Sequence, residues 1–376
     1  MPKIPYEAVA FPNGLPLWHA NGTMPAQGVA TASRAAIWIH AISVGTPWGQ
    51  PWWKTFGHHT PGFARSNLIW RGDAVSSSLV NSGDHWTLDP KFEELDSSEK
   101  TFLSYLMGMT QASLIAENIL GALAMVHVDA VLRTLGRLDT GAKRPDLIGF
   151  HRGTTAHASS NKVPPGRILA EAKGTSGKKT RKIVRNALKQ IKPTSRISPN
   201  RNLQQLALLL GPNALRIASV AHFLAPPGQP HGADVWSSYL HDPPHEETEP
   251  PSWDDDEFLG LLIIAKLLPL YTTLRTEAAD SFAWPEYVDA PMSTFQLSER
   301  VMVGFPAAFI EIFGDYLSTG FEELQTRDHR QLRQLCRTLA SKVASPARLA
   351  PRDRPEHEGW DTAMLRSGLT LALDIR

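Results

Sequence analysis

A chain of 376 residues, 42% hydrophobic and 20% charged, carries enough apolar material for a full core and enough length for two or three domains at roughly 100–200 residues each. A net charge of +1 gives no global sign of polyanion binding, so only local charge can carry one. The single cysteine, Cys336, excludes an intrachain disulfide framework and a Cys-based zinc site, and fits a reducing, cytoplasmic setting.

The first residues, Met1-Pro2-Lys3-Ile4-Pro5, lack the basic segment and apolar run of a signal peptide. Residues 1–97 are rich in Trp, Gly, Pro and Ser and hold Trp18, Trp38, Trp48, Trp52, Trp53, Trp70 and Trp86. They are expected to form a Trp-rich N-terminal module, with strands at Ala35–Ile39 and Asn67–Trp70. Tryptophans can stack on bases, but they are more often core or interface residues.

From Lys100 to about Leu138 apolar residues recur at helical spacing, behind a cap at Ser97 or Ser98. Gly108 and Gly121 are points where this run breaks or bends, so two helices are allowed. A strand follows at Asp146–Phe150, then a polar loop ending in Pro164-Pro165-Gly166, then a second strand at Arg167–Lys173. A Gly-Thr-Ser-Gly turn leads into a basic helix from Lys178 to about Ile191, stopped by Pro193. A helix at Leu203–Leu210 and a strand at Leu215–Leu224 complete this core, residues 98–228. Residues 229–256 are dense in Pro, Asp, Glu and His and read as a linker. Residues 257–376 read as a helical module, apart from a Pro-containing break at 284–291. Within it, Phe258–Leu274 is a core helix: Lys266 interrupts it, Pro269 kinks it, and it is shorter than the ~20 residues of a membrane span. Cys336 lies in a helical run and reads as a buried apolar residue.

The chemistry is expected on the second strand. Side chains alternate along a strand, so Glu171 and Lys173 share a face with Leu169. An acid and an amine at a strand end are costly to bury without a use. Pro145 biases the chain toward an extended form at Asp146, and a hairpin of the two strands brings Asp146 beside Glu171. Two such carboxylates repel one another, and a hard divalent cation relieves the repulsion.

Arg144-Pro145-Asp146 followed by Glu171-Ala172-Lys173 resembles the PD-(D/E)xK signature of the restriction-endonuclease-like nucleases. The order helix, Asp strand, Glu-x-Lys strand, helix, strand is similar too, over about residues 99–224. The resemblance implies an α/β (α+β) core, a mixed sheet flanked by helices. It also implies a catalytic centre of Asp146, Glu171 and Lys173, in which the acids bind Mg2+ or Mn2+ and Lys173 assists the attacking water. Some members add a Glu from the first helix, for which Glu117 is the candidate, and a Gln after the Lys, for which Gln190 is the candidate. An additional strand before the Asp strand belongs to that core, and only Thr134–Lys143 is left for it here. The implied activity is hydrolysis of phosphodiester bonds, with DNA as the expected partner, in a setting such as bacterial defence or restriction. Oligomerisation or a partner protein would engage the flanking modules. The alternative is a catalytically silent nuclease-like scaffold that binds nucleic acid.

Residues 161–201 carry a local charge of +11. Lys178, Lys182, Arg185 and Lys189 fall at helical spacing on one stripe, with Lys179 beside it. After a phosphate-type metal site, contact with a phosphate backbone is the reading preferred over a merely solvated face. No recognition-helix pattern accompanies it. Other signals are weaker. Gly174–Thr180 lacks the spacing of a nucleotide-binding loop. His58-His59 and His241 with His245 lack metal-ligand partners. Asp254–Glu257 reads as an acidic helix start.

Overall fold

The computed structural model describes residues 1–9, 26–44, 60–139, 141–151, 166–191, 200–211, 214–224, 234–242, 251–274, 292–317, 329–343, 354–357 and 360–374. They form a mixed α/β structure with one nine-stranded mixed sheet flanked by helices and one five-stranded antiparallel sheet.

The larger sheet contains β1 (Lys3–Val9), β2 (Gln27–Thr31), β3 (Leu79–Ser82), β4 (His85–Leu88), β5 (Ala122–His127), β6 (Leu147–His151), β7 (Gly166–Gly174), β8 (Leu215–Leu224) and β9 (Val235–His241). Their order is β2-β1-β4-β9-β8-β7-β6-β5, with β3 on β4 and with β1 also paired to β9. β5, β6 and β7 form an antiparallel meander, and β8 runs parallel to β7. Every residue of β5 and β6 is buried, as strands covered on both faces require.

β5 corrects the expectation of helix from Lys100 to Leu138. The helix α3 (Ser97–Asn118) ends near Gly121, which turns the chain at φ 68°. The next residues, Ala-Leu-Ala-Met-Val-His, are apolar at almost every position, so their periodicity favours neither helix nor strand. Thr134–Lys143, where a strand was expected, holds none among its described residues, and β5 precedes it. A short helix, α4 (Val128–Thr134), follows it. The cap of α3 is Asp96, which accepts from the backbone N–H groups of Ser98 and Glu99, while Glu99 accepts from Asp96 N–H at 3.0 Å.

Gly108 does not break α3. A Cβ there would lie 2.7 Å from the carbonyl carbon of Lys173 and from the backbone N of Gly174. A Cβ on Gly174 would strike the carbonyl oxygen of Ser104. The two glycines thus let α3 press against the end of β7, backbone on backbone.

The N-terminal region is not a separate module. Its helices α1 (Arg34–Ser43) and α2 (Thr60–Ser77) replace the strands expected at Ala35–Ile39 and Asn67–Trp70. Ser33 caps α1, and residues 35–42 are all buried, so no strand-like alternation exists there to be read. β1 and β4 extend the main sheet by pairing with β9. β9 itself lies inside the expected linker 229–256, flanked by the polar and Pro-rich residues that hid it.

After β7 the chain adds α5 (Arg181–Ile191) and α6 (Arg201–Leu210). The core helix α7 (Asp255–Leu274) is the one described helix long and apolar enough to cross a membrane, and 83% of that window is buried within the fold. Asp254 and Glu257 cap it reciprocally, at 2.8 and 3.0 Å, which fits the reading of an acidic helix start.

The C-terminal region is not purely helical. It contains β10 (Met292–Ser298), β11 (Val301–Pro306), α8 (Ala307–Leu317), α9 (His329–Val343), β12 (Arg354–His357), β13 (Trp360–Met364) and β14 (Thr370–Asp374). The sheet order is β10-β11-β14-β13-β12. Phe295 and Leu297 point inward while Thr294, Gln296 and Ser298 are half-buried, the alternation of a strand. Asp361 of β13 accepts from Ala35 N–H at 2.8 Å and so holds the start of α1 against this sheet. Cys336 of α9 is fully buried and burial pushes its thiol pKa up, which fits a packing role. Gly260 lets α7 approach its backbone. The break expected at 284–291 lies outside the described residues.

Candidate active site

Antiparallel pairing sets Leu147 opposite Ala170, so the next step of the register sets Asp146 opposite Glu171. Asp146 sits one residue before β6, where the chain enters the sheet. Its Oδ2 accepts from the backbone N–H of Ala172 at 3.0 Å, which ties it to the strand that carries Glu171. Lys173, two residues on along β7 and therefore on the same face, donates its ammonium to Glu171 Oε1. The structure brings these three predicted residues together.

The surroundings make the pair unusual. Glu171 is fully buried, and its Oε2 has no hydrogen-bond partner among the described residues. Burial, reinforced by the Asp146 charge and opposed by Lys173, raises the Glu171 pKa to about 8. Burial also raises the Asp146 pKa, against the pull of Lys173 and of the Ala172 N–H. An orphaned buried carboxylate oxygen facing a second acid leaves an electrostatic cost that a cation or a proton can offset.

Three neighbours were not singled out from the sequence. Asp129 of α4 is gripped by the Arg144 guanidinium through Nε and Nη2, and its charge reaches Asp146. His127 caps α4 by accepting from Asp129 N–H at 3.1 Å, and burial lowers its pKa to about 4, so it stays neutral. Tyr105 of α3 feels Asp146, Asp129 and Glu171; burial and these charges raise the pKa of its hydroxyl, with Arg71 opposing them. Arg144, two residues before Asp146, was the one local signal. Asp129 and Tyr105 come from elements whose positions only the fold reveals.

Glu117 is not brought to this centre. It lies nine residues beyond Gly108 on α3, about 13 Å along the helix axis from the contact with Lys173. There its Oε1 accepts from the Lys266 ammonium at 2.9 Å inside the core. This is a buried ion pair between α3 and α7, which corrects the expectation of a metal ligand. Gln190 is half-buried on α5, and no hydrogen bond among the described residues joins it to the acids.

The basic stripe is shorter than the spacing predicted, because α5 starts at Arg181 and leaves Lys178 in the preceding turn. Lys178, Lys182, Arg185 and Lys189 are exposed. Lys179 is not available in the same way: its ammonium pairs with Glu7 of β1 and sits 4.0 Å over the Tyr239 ring. Of the tryptophans, Trp38 and Trp86 are core residues and Trp70 is 46% exposed. Trp18, Trp48, Trp52 and Trp53, with His58, His59 and His245, lie outside the described residues.

Among the described residues no group of three or more His, Cys, Asp or Glu forms a complete metal cage. Two carboxylates are nonetheless the protein share that Mg2+ commonly takes, with water and substrate oxygens supplying the rest. The orphaned Glu171 Oε2 and the oxygen-only donor set fit such an ion. Comparison with protein-family models, curated proteins and solved structures finds no match for this chain.

Proposed function

We propose that the chain is a metal-dependent nuclease that hydrolyses phosphodiester bonds, with DNA as its substrate and Asp146, Glu171 and Lys173 as its centre. The observation that carries this reading is the convergence of a fully buried acid, a half-buried acid and an amine from two paired strands, with one buried carboxylate oxygen left without a hydrogen-bond partner among the described residues. The succession α3, β5, α4, β6, β7, α5, α6, β8 supports a restriction-endonuclease-like core, because it includes a strand before the Asp strand as well as the others.

Asp146 and Glu171 would hold the ion, Mg2+ or Mn2+. When bound, it would supply positive charge against the phosphoryl oxygens. Lys173 is 31% exposed at its side chain, so its ammonium can reach both Glu171 and an incoming group. It would orient the attacking water and offset the negative charge that grows on the phosphate. The water oxygen bonds to phosphorus, the ester bond opposite it breaks, and the departing oxygen takes up a proton. The exposed Lys178, Lys182, Arg185 and Lys189 would neutralise phosphates along the strand. A role in bacterial defence or restriction belongs to the same proposal, by likeness of signature alone.

Incubation of supercoiled plasmid and of circular single-stranded DNA with Mg2+ tests this. Wild type should cut at least one of them, and Glu171→Gln and Lys173→Ala should each slow cleavage by at least about 100-fold, the loss typical of removing a group that stabilises the reacting charge. Unchanged cleavage by both variants overturns the site. Intact DNA binding with no cleavage by wild type favours the silent scaffold.

A further inference from the structure

The nuclease reading leaves open which form of nucleic acid enters, and the surface beside the acids bears on it. Among the described residues five large hydrophobic side chains are notably exposed: Met1, Val29, Trp70, Phe102 and Tyr105. The last three are aromatic and lie together. The Trp70 and Phe102 rings pack with centroids 5.1 Å apart, tilted by 31°. Tyr105 lies one helical turn after Phe102, on the same side of α3. The turn it belongs to contains Ser104 and leads to Gly108, the residues pressed on Gly174 and Lys173. The aromatic row therefore runs from open surface to the edge of the carboxylate centre.

We propose that Trp70, Phe102 and Tyr105 form a stacking platform for unpaired bases, and that the substrate is a single-stranded stretch of polynucleotide. The proposal rests on the nuclease reading and names its substrate class. In a duplex the bases already stack on each other and present only their edges, so exposed rings gain little from them. Unpaired bases offer their faces, and each base stacked on an aromatic ring contributes ~1–3 kcal/mol whatever its identity. The rings provide that platform, and the exposed cations of α5 and the preceding turn provide phosphate contacts.

A protein partner is the competing occupant of an apolar patch, and the area argues against it. At 46%, 41% and 37% exposure the three rings offer roughly 200–300 Å² in total, taking 150–250 Å² for each whole side chain. A stable protein interface takes about 800 Å² from each partner.

The test is binding of a labelled 20-nucleotide oligothymidylate and of a 20-base-pair duplex by the full chain in EDTA, read by fluorescence anisotropy. Trp70→Ala and Phe102→Ala should each weaken oligothymidylate binding by ~5- to 100-fold and leave duplex binding within twofold, while Trp70→Tyr should retain most of the affinity. Melting curves for each variant should match wild type, since the replaced rings are partly solvated. Equal oligothymidylate affinity in wild type and both alanine variants overturns the proposal. So does a Trp70→Ala change in sedimentation from dimer to monomer with binding unaltered, which would make the patch a contact between copies. The two readings fail separately. Cleavage by wild type with undiminished oligothymidylate binding in Trp70→Ala removes the platform and leaves the nuclease. Absence of cleavage with binding lost in Trp70→Ala removes the nuclease and leaves the platform.

Discussion

Replacing Glu171 by Gln should make the metal-free protein more stable above pH 5, although it removes a residue of the proposed centre. Burial raises the acid's pKa from 4.5 to about 8. A group whose folded pKa exceeds its unfolded value binds more protons when folded, so stability falls as pH rises between the two values and levels off above the higher one. At ~1.4 kcal/mol per unit, the penalty on the wild-type fold is about 3 kcal/mol at pH 7, about 4 kcal/mol at pH 8, and close to zero below pH 4.5. Gln keeps the shape but never ionises. The lost ion pair with the partly exposed Lys173 offsets at most about 1 kcal/mol of the gain. Denaturant unfolding of both proteins in EDTA at pH 5, 6, 7 and 8 gives the difference directly. It should grow with pH in favour of the Gln variant. A variant less stable than wild type at pH 8, or a difference that does not change from pH 5 to 8, would refute the assignment of a cation-seeking charge to this position.

The same proton competes with the ion. Mg2+ binding to wild type, followed by calorimetry, should strengthen up to about tenfold per pH unit between pH 6 and 8 and level off above 8, because Glu171 must lose its proton first. Gly108→Ala should cost about 1–3 kcal/mol in thermal stability, since the new Cβ meets backbone rather than a movable side chain. Lys266→Met should cost about 3–5 kcal/mol by stranding the buried Glu117, and the double variant Lys266→Met with Glu117→Leu should recover most of that in unfolding measurements; full loss in the double variant would point to packing instead. Replacing Lys182, Arg185 and Lys189 together by Gln should lower the slope of log affinity against log salt by about 2–3 without changing the melting temperature.

The candidate site was legible because its parts are local. Pro145-Asp146 and the Glu171-x-Lys173 alternation state their own geometry, and one hairpin suffices to join them. Glu117 misled because an acid amid apolar residues on a helix looks the same from sequence whether it faces a cation site or a lysine from α7. Lys266 supplied half of that answer but stands 149 residues away along the chain. β5 and β11 were missed for a different reason. Ala122–His127 is apolar on both faces, and Val301–Pro306 is buried at five of its six positions, so neither shows the two-residue alternation that marks a half-buried strand. α1 was read as a strand on the same ground in reverse, from β-branched and aromatic residues buried on every side. Tyr105 and Asp129 needed the crossing of α3 over β7, which two glycines permit and no periodicity announces.

The pairing of β1 with β9 has a bearing on how the chain is made. Tyr6 through Val9 find their partners only at Ser238 through His241. During synthesis β1 has β2 available on one side, while on the other only Lys3 meets β4, at His85. The edge from Tyr6 to Val9 stays open until β9 has emerged. Long-range closure of this kind slows folding and lengthens the time in which a nascent chain can join the wrong neighbour, so production of this protein should respond to chaperone supply and to translation speed.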